Sequence, residues 1–149
     1  MPLAEIILRL GTATVIGGLI GLNRYAHHKA VGIRTLGLVA LASAAIICAL
    51  ANGPDVAGVS RAAQGIITGI GFIGAGVIMR DDTKHRVQGL TTAATVWVSA
   101  VIGALCGLGD WWITGVAVLF MTALLILGGP LEKWLVRHKA SDPDDQPES

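Results

Sequence analysis

Charged side chains are scarce in this sequence: 14% of 149 residues, against 53% that are hydrophobic. Soluble globular domains carry roughly 25% charged residues, so the chain lacks the polar surface that a water-facing exterior needs. Cysteine is nearly missing. Cys48 and Cys106 both lie in apolar stretches without C-x-x-C spacing, which argues against a disulfide framework and against a zinc site. No Ser/His/Asp, Cys/His or paired-carboxylate constellation stands where water and a substrate could meet it, so an enzyme is not expected. The net charge of +1 gives no global pull toward nucleic acid, and neither a nucleic-acid partner nor a cofactor is expected. The first apolar block lacks the features of a cleaved secretory leader. Glu5 stands where a positive segment should be, and no A-x-A site follows, so the block reads as a retained helix.

What is present is long apolar runs. The few charges divide the chain into five blocks, at residues 6–22, 35–51, 62–79, 89–108 and 111–127. Each approaches the ~20 residues that an α-helix needs to cross about 30 Å of hydrocarbon. The runs are continuous rather than alternating, which favours helices over barrel strands. The mean hydropathy of +0.67 agrees. The expected fold is an all-α, polytopic transmembrane helix bundle of about five spans, over residues 1–130. Residues 131–149 are expected to form a cytoplasmic interfacial turn and a disordered acidic tail, SDPDDQPES.

Orientation follows from the basic residues. Arg24, Lys29 and Arg34 share the first connection, and Arg80, Lys84 and Arg86 the third. Lys133, Arg137 and Lys139 lie in the tail, so these three groups hold nine of the eleven Lys and Arg. With five spans all three fall on one side, which predicts an outer N-terminus and a cytoplasmic C-terminus. Trp111 and Trp112 then join the outer aromatic belt, with Trp134 and Tyr25 near the inner one.

Small residues recur at helical spacing. Gly11, Thr14, Gly17 and Gly21 form a stripe in the first block. The third carries Gly65, Gly69, Gly71, Gly74 and Gly76, and the fourth Thr92, Thr95, Ser99, Gly103 and Gly107. In lipid, helices associate through close backbone approach, which such faces permit. Gly17, Gly21, Gly65, Gly69, Gly74, Gly103 and Gly107 are the expected packing positions. The first, third and fourth helices are expected near the centre, packed within one chain, with a homodimer through a leftover face as a further expectation. Gly69-Ile70-Gly71-Phe72-Ile73-Gly74 fits the dinucleotide pattern G-x-G-x-x-G. It lies inside a span with no acid at the required distance, so nucleotide binding is not expected.

Polar groups at span ends carry the functional question. Glu5 and Arg9 are an i,i+4 pair, read as a structural pair. Arg34 and Thr35 open the second helix, Arg61 and Gln64 the third, and Thr91, Thr92, Thr95 and Ser99 line the fourth. Asp81 and Asp82 are acids of the kind magnesium prefers, but Arg80, Lys84 and Arg86 oppose a divalent cation there, so no metal site is expected. His27, His28, His85 and His138 read as solvated. Arg24 to Thr35 and Arg80 to Thr91 repeat one spacing, a faint echo of a parallel hairpin repeat.

Several of these stretches together resemble the MgtC/SapB family. They are Arg61-Ala62-Ala63-Gln64, the run GIITGIGFIGAGVIMR ending at Arg80, and Gly89-Leu90-Thr91-Thr92-Ala93-Ala94-Thr95-Val96-Trp97. Gly21-Leu22-Asn23-Arg24, Gly32-Ile33-Arg34-Thr35 and the stretch 103–109 resemble it too. The resemblance implies a multi-pass protein of the bacterial inner membrane, associated with growth in low magnesium and with survival inside macrophages (virulence). It implies a non-enzymatic regulator acting on membrane partners such as the ATP synthase or cation ATPases. The alternative is a transporter or channel for magnesium or another ion. Asn23 stands where the family usually has Glu, and Thr91 where some virulence-associated members have Asn. Cys106 matches the Cys of those members. Longer members carry a soluble C-terminal domain, and this chain is expected to act without one. The candidate functional positions are therefore Arg34, Thr35, Arg61, Gln64, Arg80, Arg86, Thr91 and Cys106, with the lipid bilayer and other membrane proteins as expected partners.

Overall fold

A computed structural model describes residues 1–26, 29–81 and 86–139. The five apolar blocks form five helices: α1 (Leu3–Ala26), α2 (Ile33–Ala51), α3 (Val56–Gly76), α4 (Leu90–Leu108) and α5 (Trp111–Lys139). All five are long and apolar enough to cross a membrane. Between α3 and α4, the short strands β1 (Met79–Asp81) and β2 (Arg86–Gln88) pair antiparallel, with Arg80 opposite Val87. The sequence pattern does not signal this pairing, because three-residue strands are too short to show alternation.

Local chemistry sets the helix ends. Asn52 donates its side-chain amide to the Cys48 carbonyl (3.0 Å) as α2 ends. The Asp55 carboxylate accepts from the Gly58 N–H (2.9 Å) and so caps the start of α3. Gly109, at φ +79°, closes α4 by donating to the carbonyls of Leu105 and Cys106. The adjacent Asp110 carboxylate accepts from the Ile113 N–H (3.1 Å) in the first turn of α5. Pro130 lies inside α5 without ending it. Beyond it the helix runs on to Lys139.

The centre of the bundle is a seam between α2 and its neighbours α1 and α4. A Cβ on Gly103 would collide with the Ala40 carbonyl oxygen, and one on Gly107 would lie 2.6 Å from that of Ala44. From the other side, a Cβ on Gly17 would lie 2.5 Å from the Leu36 carbonyl oxygen, and one on Gly21 2.6 Å from the Ile33 Cα. Ala40 of α2 is thus gripped by glycines of two helices. Leu36, Ile47, Val96 and Ile102 fill the remaining core and are fully buried.

The third helix departs from expectation. Its glycine pattern points to the centre of the bundle, but its buried residues are only Gly58, Ile70 and Gly74. A Cβ placed on Gly65, Gly69, Gly71 or Gly76 would meet no atom within 4 Å, and one on Gly74 would make ordinary contact with Ala93 at 3.8 Å. Glycine spacing marks a face suited to close packing but does not specify the partner. Here α2, which has one of the less glycine-rich sequences, holds the centre through alanines instead. Gly11 of α1 is open as well.

His27, His28, Asp82, Lys84, His85 and residues 140–149 lie outside the described residues, as do the readings placed on them.

Candidate functional site

Helix α1 carries an arginine near each end, and both turn toward α4. The buried stripe of α1 is Ala13, Gly17, Ile20, Gly21 and Arg24, which follows the helical repeat. Arg24 continues the face that packs on α2, so its side chain is carried inward and is only 6% exposed. Its Nη2 donates to the Thr92 hydroxyl (2.9 Å) in the first turn of α4. Arg9, nearer the other end, pairs with Glu5 and donates from Nη1 to the Gly107 carbonyl (2.8 Å) in the last turn of α4. A Cβ on Gly109 would lie 2.7 Å from the Arg9 guanidinium, so a glycine at that turn also makes room for the arginine.

A cavity of about 620 Å³ opens beside Arg24, with Lys29, Gly89, Thr91 and Thr92 among its lining residues. Two features shape it. Gly89 adopts φ +93°, and a Cβ there would collide with the Val77 carbonyl oxygen. Only glycine lets the chain leaving β2 turn back so closely against the end of α3. That same turn starts α4 with no side-chain cap, so its first N–H groups have no intrahelical acceptor and lie at the positive end of the helix dipole. The cavity therefore combines a buried guanidinium, an ammonium and a helix N-terminus. It can attract an anion, and it repels a cation. Among the described residues no group of three or more His, Cys, Asp and Glu could hold a metal.

The eight candidate positions from the sequence do not converge on one pocket. Thr91 lines the cavity, and its carbonyl accepts from the Thr95 hydroxyl (2.7 Å). Arg34 and Thr35 are exposed on the first turn of α2, at the same end of the bundle but outside the cavity lining. Arg80 and Arg86 are placed by their backbones on β1 and β2, also at that end. Arg61 is exposed near the opposite end, where it pairs with Asp55 (2.9 Å). Gln64 is exposed on α3, and Cys106 is fully buried near the end of α4.

Counted along the chain, Arg24 and Lys29 are only two of the basic residues at span ends. The signal that places Arg24 inside is its register. It stands seven residues after Gly17 and three after Gly21, on the packed stripe.

The chain is similar to named bacterial proteins. Over 130 residues it is 40% identical to "Protein MgtC" of Brucella abortus (strain 2308), covering 87% of this chain and 54% of that one. Over 105 residues it is 49% identical to "Protein MgtC" of Salmonella typhimurium (strain LT2), covering 70% and 44% respectively. The chain thus spans about half the length of these curated relatives. No solved structure matches it. The family description "MgtC family" matches residues 10–134, a range that includes all or most of each of the five helices together with Arg24 and Thr92, and on that match the chain belongs to the MgtC family.

Proposed function

We propose that this chain is a non-enzymatic regulator of the bacterial inner membrane that acts by docking a helix face on other membrane proteins. The observation that carries the reading is the open face of α3. Gly65, Gly69 and Gly76 share one side of the helix and have nothing within 4 Å of a Cβ position, whereas Gly17, Gly21, Gly103 and Gly107 are already in close contact inside the bundle. A small-residue face left open on an apolar helix suits the close approach of a second transmembrane helix. The resemblance supplies the physiological setting: growth in low magnesium, survival inside macrophages, and partners such as the ATP synthase or cation ATPases. The basic residues support an outer N-terminus and a cytoplasmic C-terminus.

The test is co-isolation from membranes after crosslinking, with the full chain carrying Gly65→Leu and Gly69→Leu. Both positions are open, so the bundle should assemble while partner capture falls. Retention of both the partner set and growth in low magnesium by this variant would refute the reading. Ion transport, the alternative, is disfavoured by the cationic lining of the cavity. Proteoliposomes should show no protein-dependent magnesium flux.

A further inference from the structure

We propose that the cavity beside Arg24 binds a phosphate group, carried either by a phospholipid headgroup or by free phosphate. Among the side chains described, Arg24 has no partner of opposite charge. Arg24 is 6% exposed, and a guanidinium offers five N–H donors and no acceptor. Its Nη2 donates to the neutral Thr92 hydroxyl, and its Nε–H has no acceptor. The carboxylates of Glu5 and Asp55 are taken by Arg9 and Arg61, and among the side chains described no carboxylate is paired with Arg24. A buried cation without a counter-charge is costly, and more so at the edge of a bilayer. An anion entering the cavity removes that cost.

The remaining lining selects the kind of anion. The uncapped start of α4 aims backbone N–H groups and the positive end of a helix dipole at the cavity that Arg24 lines. This is the arrangement that holds phosphate oxygens at helix N-termini. The planar guanidinium fork matches phosphate geometry, and Lys29 adds a second positive charge at the exposed side. At about 620 Å³ the space exceeds what one or two bridging waters fill. It also lies at the ends of α1 and α4, the depth at which headgroup phosphates meet a spanning helix. A divalent cation would meet Arg24 and Lys29, and an uncharged apolar ligand would leave the guanidinium unsatisfied.

The experiment uses the purified full chain, stripped of lipid in a neutral detergent. Native mass spectrometry measures retention of phosphatidylglycerol against diacylglycerol, which lacks the phosphate. Inorganic phosphate is tested alone by ³¹P line broadening and as a competitor. Phosphatidylglycerol should be held about tenfold tighter than diacylglycerol. Arg24→Gln should remove that preference. Because a buried substitution can also disturb assembly, Lys29→Gln, at an exposed position, provides the second variant and should weaken retention several-fold. Arg34→Gln, at the same end but outside the cavity, should leave it unchanged. Displacement by inorganic phosphate identifies free phosphate as the natural source. Tight lipid binding without displacement identifies the headgroup. Equal retention of phosphatidylglycerol and diacylglycerol with no phosphate broadening would overturn the proposal, and so would Arg34→Gln weakening retention as much as Lys29→Gln. Neither result bears on the α3 docking face, whose test is partner capture.

Discussion

The two ends of the bundle make the same bond in opposite ways. At one end Arg9 reaches from α1 to the last turn of α4, and at the other Arg24 reaches from α1 to its first turn. The Nε of each lacks an acceptor. Arg9, however, has a carboxylate in Glu5, and it meets carbonyls at the negative end of the α4 dipole. Arg24 has a neutral hydroxyl, and it faces the positive end of the same dipole. The first arrangement is electrostatically closed. The second is open, and it is the one beside a cavity. A charge placed inward with a neutral hydroxyl as its partner among the described side chains contributes little to holding the fold together, so its reason is to be sought in what it binds.

The largest perturbation should come from the frame that fixes both arginines. Gly103→Leu would drive side-chain atoms into the Ala40 carbonyl, where even a Cβ alone has no room. Overpacking against backbone should cost about 3 kcal/mol or more, read as loss of a monodisperse peak and of the unfolding transition. With the seam gone, the difference between the ends should vanish.

Next in size is Arg9→Met. It removes the Gly107 bond and leaves Glu5, 38% exposed, without its partner. A loss of about 1–2 kcal/mol is expected, discounted for that exposure, and measured by denaturant titration in lipid-free detergent. The matching change at the other end, Arg24→Met, should move stability in the same assay by less than about 1 kcal/mol, in either direction. It should fall behind wild type only when anionic phospholipid is added, since a ligand stabilises the state that binds it. Equal losses for the two methionine variants in the absence of lipid would show that Arg24 is as fully compensated as Arg9.

The smallest effect belongs to Gly69→Leu, on the open face of α3. With nothing within 4 Å of its Cβ position, the change should shift stability by no more than about 0.5 kcal/mol, while lowering partner capture. A large destabilisation there would show that α3 is held by its glycines after all.

Much of this architecture is legible from composition and periodicity. The five apolar runs locate the helices to within about four residues, except at the start of α3 and the far end of α5, because in a bilayer a long continuous apolar run satisfies its backbone as a helix. The Glu5–Arg9 pair is legible because i,i+4 spacing is a property of one helix. Readings that require two helices at once fare differently. Third-helix glycines and fourth-helix glycines look alike in sequence, yet Gly103 and Gly107 touch α2 and Gly65 and Gly69 touch nothing. The polar residues at span ends scatter, with Arg61 and Gln64 exposed on α3 and Thr91 on the cavity wall. Arg24 does not stand out in the sequence because a basic residue at the end of an apolar run serves equally well as a topological anchor.

The amino-acid sequence by itself determined the medium and the elements. Scarce charge and long apolar runs call for lipid around the chain, and in lipid runs that are continuous rather than alternating form helices. Only the tertiary structure decided which small-residue faces are consumed and which arginine has no counter-charge among the described side chains. Those outcomes depend on the rotation of each helix about its axis, and that rotation is set by the shape of the neighbouring helices rather than by any residue's own preference.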